Sequence, residues 1–73
     1  AEYEELIRRL YEAISSLPPM QARRVHARYM LGMKVKDIAA MEGITPSQAG
    51  KSIRAALRRL RRYFARQKWT VNL

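Results

Sequence analysis

Apolar residues recur along this chain at intervals of three and four, the spacing that places side chains on one face of an α-helix. The first such stripe covers residues 3–14 and consists of Tyr3, Leu6, Ile7, Leu10, Tyr11 and Ile14. Glu4 and Glu5 near its beginning suit the positive end of a helix dipole. Because the residue before a proline avoids the helical region, Leu17 and Pro18 predict the end of this first helix.

Two shorter helices are predicted next. One runs from Pro19 to about Leu31, since proline is tolerated in a first helical turn, and Gly32 follows as a C-terminal stop. Its weaker apolar face consists of Ala22, Val25, Tyr29 and Met30. The other helix covers about Val35 to Glu42 and ends at Gly43. Its predicted inward side chains are Val35, Ile38, Ala39 and Met41.

The fourth predicted helix has the clearest beginning. Thr45 suits the N-cap, Pro46 the first helical position, and Gln48 the third, which together form a capping box. Its long apolar stripe consists of Ala49, Ile53, Ala56, Leu57, Leu60 and Phe64. Other faces carry bases, mainly Lys51, Arg54, Arg58, Arg61 and Arg62. We expect the helix to continue to about Arg66, and the tail at residues 67–73 has no clear assignment.

These elements predict an all-α fold, a single four-helix domain over residues 1–73 with a helix-turn-helix at about residues 34–62. A helix-turn-helix needs a tight turn, which a glycine such as Gly43 favours. Ala39 and Ala49 are small enough to let its two helices cross closely. The beginning of the second helix would then enter the major groove of DNA.

Charge strengthens this interpretation. The chain has 15 Lys and Arg against six Asp and Glu, a formal net charge of +9. Residues 1–20 are net acidic, whereas residues 51–68 hold eight bases and no acid. A polyanion is the natural partner of such a segment, because each base at a phosphate releases condensed counterions. The alternative is a solubilising charged face.

Other classes of protein find little support. The 73 residues include no cysteine and no apolar run long enough to span a membrane, and we expect a cytoplasmic protein. His26, the single histidine, has no metal-ligand partner at suitable spacing, so a packing or surface role is favoured. No combination of serine, histidine and acid indicates a nucleophile with its base. We therefore expect no enzyme activity, no cofactor and no small-molecule substrate.

Residues in a fixed order resemble the fourth-region domain of bacterial sigma factors, particularly small sigma-like proteins of mobile elements in Gram-positive bacteria. The similar segments are Leu17-Pro18 through Tyr29, Gly32-Met33, Asp37-Ile38-Ala39, Gly43-Ile44-Thr45, Lys51-Ser52-Ile53, and Ala56-Leu57 with Leu60. The resemblance covers roughly residues 6–64. It implies a four-helix domain that recognises the promoter element upstream of the transcription start and contacts the flap of RNA polymerase. No segment resembles the sigma regions that bind the polymerase clamp and melt DNA, so we expect an excised domain or a stand-alone regulator.

The resemblance also implies which positions contact bases: Pro46, Ser47, Gly50 and Lys51. Pro46 and Gly50 have no polar side chain, so a standard promoter specificity is not expected. Gly50 has two interpretations: a close approach of the backbone to DNA or to the partner helix, or a frayed start with the true helix beginning later.

The sequence therefore predicts two sets of DNA-binding residues. The predicted base contacts are Ser47, Gln48, Lys51 and Arg54. The predicted phosphate contacts are Arg23, Arg24, Arg28, Lys34, Lys36, Thr45, Arg58, Arg61 and Arg62. Gln48 could instead only close the capping box, and the three arginines of the second helix could form a solvated face. An arginine in the place of Arg54 more often contacts a phosphate than a base, and Ser47 could contact either.

Rival functions remain open. One is a protein-interaction module that binds RNA polymerase or another factor without specific recognition of DNA, which the bare positions Pro46 and Gly50 favour. A second is a basic amphipathic helix on a membrane surface, against which the small residues Ala49 and Ala56 argue. An RNA partner lacks a visible aromatic platform. The expected partners are double-stranded DNA and RNA polymerase. We expect the chain to be a monomer or a weak homodimer. For the tail residues Trp69, Val71 and Leu73 three alternatives stay open: packing on the first helix, a dimer contact, or disorder.

Overall fold

The computed structural model describes residues 2–67, and its helices follow the predicted order. They are α1 (Glu2–Ser15), α2 (Pro19–Val25), α3 (Val35–Glu42) and α4 (Pro46–Arg66). Within residues 2–67 there is no strand, so the predicted all-α, four-helix fold is confirmed. The hypotheses about Trp69, Val71 and Leu73 lie outside the described residues.

α2 does not end at Val25 but continues as a π-helical turn, His26–Met30. The N–H of Leu31 donates to the carbonyl of His26 at 3.1 Å, the five-residue spacing of a π-helix. Gly32 then takes a positive φ of 71° and ends the segment as predicted. The predicted span of this helix is correct, while its π-helical second half was not predicted.

The larger of two buried clusters joins α1, α2 and the second half of α4. Its members are Ala13, Ile14, Leu17, Val25, Ala56, Leu60 and Phe64. Leu60 is 1% exposed, and the Phe64 ring packs edge-on against Tyr63 with ring centroids 5.6 Å apart. Only the C-terminal end of the α1 stripe reaches this cluster, since Tyr3 is 72% and Tyr11 49% exposed. The second half of α4 is therefore held by its apolar side.

A smaller cluster holds the first half of α4 against α3. Ile38, Ala39, Ala49 and Ile53 are all buried. The alanines leave room for the close crossing that the sequence predicted. Between the helices Gly43 adopts a left-handed φ of 68°, and the N–H of Ile44 donates to the carbonyl of Ala39 at 3.0 Å. This arrangement is a helix-turn-helix.

The predicted inward position of Met41 is wrong, because its side chain is 74% exposed. Val35, Ile38 and Ala39 occupy the first three positions of an i, i+3, i+4, i+7 face, and the fourth position of that face is Glu42. The Glu42 side chain is only 15% exposed. An acid therefore takes the place on the inner face of α3 where an apolar residue was expected.

Candidate nucleic-acid interface

The capping box fixes the beginning of α4. The hydroxyl oxygen of Thr45 accepts from the N–H of Gln48 at 3.1 Å, and Oε1 of Gln48 accepts from the N–H of Thr45 at 2.9 Å. Pro46 occupies the first helical turn, where its missing N–H has no consequence. The two bonds satisfy N–H groups that a helix start otherwise leaves without partners. The first turn of α4 is thus ordered by its own sequence.

The predicted base-contacting side chains share one face of this ordered end. Ser47, Lys51 and Arg54 follow the i, i+4, i+7 spacing that places residues on one side of a helix, and all are exposed. They lie opposite the buried residues Ala49 and Ile53. The structure therefore brings this set together on the face of α4 that points away from the protein.

Gln48 is exposed beside these residues, and its side chain already takes part in the cap. A bidentate contact with adenine uses both the oxygen and the NH₂ group of the amide. Because Oε1 accepts the N–H of Thr45, the NH₂ group is the end that can donate to DNA without opening the capping box.

The basic surface continues along α4 from Lys51 to Arg66. The helix contains no acid, and its seven bases are Lys51, Arg54, Arg58, Arg59, Arg61, Arg62 and Arg66. Sequence reasoning did not include Arg59 and Arg66, although they belong to the same acid-free run. With Arg62 they line a shallow cleft of about 110 Å³ beside the α1–α2 turn.

Arg24 joins three helices. Its Nε lies 3.0 Å and its Nη2 2.7 Å from Oε1 of Glu42, while Nη1 donates to the hydroxyl of Ser52 on α4 at 2.8 Å. Its side chain is 16% exposed. Hydrogen bonds from Arg24 lower the pKa of Glu42, and the same bonds raise the pKa of Arg24. A phosphate contact from Arg24 would have to compete with these bonds.

The other predicted phosphate contacts have varied surroundings. Arg23, Lys34 and Lys36 are exposed. Arg28 donates to the carbonyl of Met33 at 3.2 Å, and its guanidinium carbon lies 5.7 Å from the centre of the Tyr29 ring.

His26 lies beside an aromatic ring. Its ring centroid is 6.4 Å from that of Tyr11. Among residues 2–67 no group of three or more His, Cys, Asp or Glu could hold a metal ion.

An apolar groove of about 250 Å³ lies between α1, α2 with its π-helical turn, and α4. Its lining residues are Leu10, Ile14, Val25, Tyr29, Met30, Leu57 and Leu60. Tyr29 at its edge is 54% exposed. Sequence reasoning assigned several of these side chains to helix faces but did not predict a groove.

α3, the turn at Gly43 and the capped, basic α4 define a DNA-binding domain of the helix-turn-helix class. The sequence model of the sigma-70 region 4 family matches residues 7–60, and the chain belongs to this family of transcription-related DNA-binding domains. No curated protein and no solved structure matches the chain. Among residues 2–67, none of the helices has the length and hydropathy needed to cross a bilayer.

Proposed function

We propose that this domain binds double-stranded DNA sequence-specifically in transcription initiation or its regulation, with the beginning of α4 in the major groove at a promoter upstream element. The observation that carries the proposal is the exposed row Ser47, Lys51 and Arg54 on a helix end that a capping box orders. A rigid helix start presents donors to base edges with little loss of backbone conformational freedom on binding.

Each predicted site residue has a role in this proposal. Ser47, Gln48, Lys51 and Arg54 contact bases, Gln48 through its NH₂ group. The proposed phosphate contacts are Arg23, Arg28, Lys34, Lys36, Arg58, Arg61 and Arg62, with Thr45 at the helix start. Arg24 instead positions α4, because its guanidinium binds Glu42 and Ser52. The domain acts in the cytoplasm, as expected for a transcription-related domain of this family.

Selection from a random duplex library at about 150 mM salt tests the proposal, followed by anisotropy titrations of the selected and scrambled duplexes. We expect a motif bound on the order of a thousandfold more tightly than random DNA. A single half-site indicates a monomer, and a palindrome a dimer. If no sequence is selected and binding collapses as salt rises, the basic surface is only an electrostatic contact and specific recognition is excluded.

The apolar groove favours a second function, contact with RNA polymerase. The family's general association with RNA polymerase supports this partner, and an apolar helix or loop of the polymerase would fill the groove. Tyr29→Glu at the groove edge should weaken binding to purified core polymerase without changing affinity for DNA.

Met41→Glu is the matched control, because Met41 is an exposed apolar residue outside the groove. Equal polymerase binding by the wild-type chain, Tyr29→Glu and Met41→Glu would exclude the apolar groove as the contact with polymerase. Polymerase binding by a protein that selects no DNA motif would support a protein-interaction module instead.

A further inference from the structure

Gly50 lies at a position that should contact bases, yet it has no side chain. It is inside α4, which is helical from Pro46, so the hypothesis of a later helix start is wrong. Its φ is not positive, so the conformational freedom of glycine is not what this position requires. Glycine is also unfavourable in a helix interior. What a glycine does provide at this position is space.

The end of the Arg54 side chain borders that space. A Cβ atom added to Gly50 would lie 3.3 Å from Nη1 of Arg54, a distance at which the guanidinium would have to move by a few tenths of an ångström. Helical side chains lean toward the N-terminus, so a long side chain covers the residue one turn before it. The guanidinium of Arg54 thus lies over the bare backbone of Gly50, one turn nearer to the end of α4 that faces DNA.

We propose that Arg54 contacts the base that a side chain at position 50 would otherwise contact. Glycine at position 50 leaves the room that the Arg54 guanidinium needs to reach this base. This inference rests on the proposed function. The guanidinium can donate two parallel hydrogen bonds to O6 and N7 of a guanine. The proposal assigns Arg54 to the recognition of one base pair, whereas Arg58, one turn further along, remains a phosphate contact.

The proposal makes the two residues interdependent. Arg54→Ala should lower the preference for one base pair about tenfold to a hundredfold. Gly50→Ala should weaken the same preference several-fold, and Gly50→Val, which is bulkier at Cβ, should remove it. In the Arg54→Ala background neither Gly50 substitution should alter base preference further.

The experiment is library selection and titration with the whole chain and the variants Gly50→Ala, Gly50→Val, Arg54→Ala and the two double mutants. Thermal unfolding accompanies each titration. Gly50→Ala should raise the Tm, because alanine favours the helix, while its specific binding falls. These opposite directions separate lost contact with DNA from lost folding, even if Gly50→Val does not fold.

Three results would overturn the inference. One is an unchanged base preference in Gly50→Ala and Gly50→Val while Arg54→Ala loses its preference. Another is a uniform loss in Arg54→Ala across all sequences, which would make Arg54 a phosphate contact. Each of these would leave the proposed function intact, since the wild-type chain still selects a motif. The third is the absence of any motif for the wild-type chain, which would overturn both.

Discussion

α1 and α4 are both amphipathic and both carry arginine, but their arginines have different partners. In α1, Arg8 binds Glu12 at 3.0 Å and also Glu5, while Nε of Arg9 lies 2.7 Å from Glu5. Hydrogen bonds from Arg8 and Arg9 lower the pKa of Glu5. α4 carries seven bases and no acid.

This difference makes α4 the more positively charged of the two helices. The pairs of α1 satisfy their charges within one helix. In α4, the pairs Arg54–Arg58, Arg58–Arg62 and Arg62–Arg66 are four residues apart, where like charges destabilise a helix by a few tenths of a kcal/mol each. Packing holds the helix against this repulsion, and a polyanion would relieve it. The same repulsion therefore favours the bound state.

The largest effect should come from the packing that keeps α4 in place. Leu60→Ala removes a side chain that is 1% exposed in the cluster shared with α1 and α2. It should lower the free energy of unfolding by about 2–5 kcal/mol, measured by urea denaturation. Met41→Ala, at a 74% exposed position, should change it by less than about 0.5 kcal/mol. Similar losses for both variants would contradict the assignment of the core.

A smaller effect on stability is expected from Glu42, the acid enclosed between helices, and it should exceed the effect of the exposed acids of α1. Glu42→Gln weakens the hydrogen bonds with Arg24 and should lower the free energy of unfolding by about 1–3 kcal/mol. Because the folded pKa of Glu42 is lowered, its contribution is present above its unfolded pKa of about 4.3 and is lost as the pH falls through the folded pKa. Urea denaturation at several pH values below about 5 should show a shallower decline for Glu42→Gln than for the wild-type chain.

Glu5→Gln is the matched control for this acid titration. Glu5 also has a lowered pKa, but its bonds are exposed and local to α1. Replacement of Glu5 should leave most of the acid-induced decline in the free energy of unfolding unchanged. An equal flattening in both variants would mean that the enclosed pair has no special contribution.

The third prediction compares two bases of α4. Lys51→Ala should weaken specific sites by about 1–3 kcal/mol and relax one base preference, since we propose that its side chain contacts a base in the major groove of DNA. Arg58→Ala should weaken all sequences and lower the salt slope by about one. Anisotropy titrations against selected and scrambled duplexes at several salt concentrations measure both. Equal losses on both duplexes for Lys51→Ala would contradict its role.

The smallest effect is expected on α1. Arg8→Ala removes a positive charge that Glu5 and Glu12 already neutralise, so DNA affinity should change less than about twofold at 150 mM salt. The same titrations measure it. A loss as large as that of Arg58→Ala would show that α1 also contacts DNA and would end the contrast between the helices.

Features that depend on neighbouring residues were predictable from the sequence. The capping box of Thr45 and Gln48, the positive φ of Gly43 and the apolar stripe of α4 are all encoded within a few residues. Glu42 was not recognised as an inward residue, because its burial depends on an arginine 18 residues earlier. Helical spacing places position 42, not 41, on the inner face of α3, but burial of a carboxylate there is unexpected until its arginine partner is known.

The candidate interface shows the same limit. Ser47 and Lys51 could be placed on one face from helical periodicity alone. The engagement of Arg24 could not be predicted, since it requires the packing of α2 against α3 and α4. The π-helical turn His26–Met30 and the groove it lines depend on tertiary structure in the same way.

The capping box has a consequence for how this domain can acquire new binding sites. Gln48 closes the first turn of α4 with the same side chain that we propose to contact DNA, so a substitution there should change base preference and also remove the hydrogen bond from the N–H of Thr45. Ser47 carries no such second role in the cap. Evolution toward a new target sequence should therefore pass through position 47 more readily than through position 48.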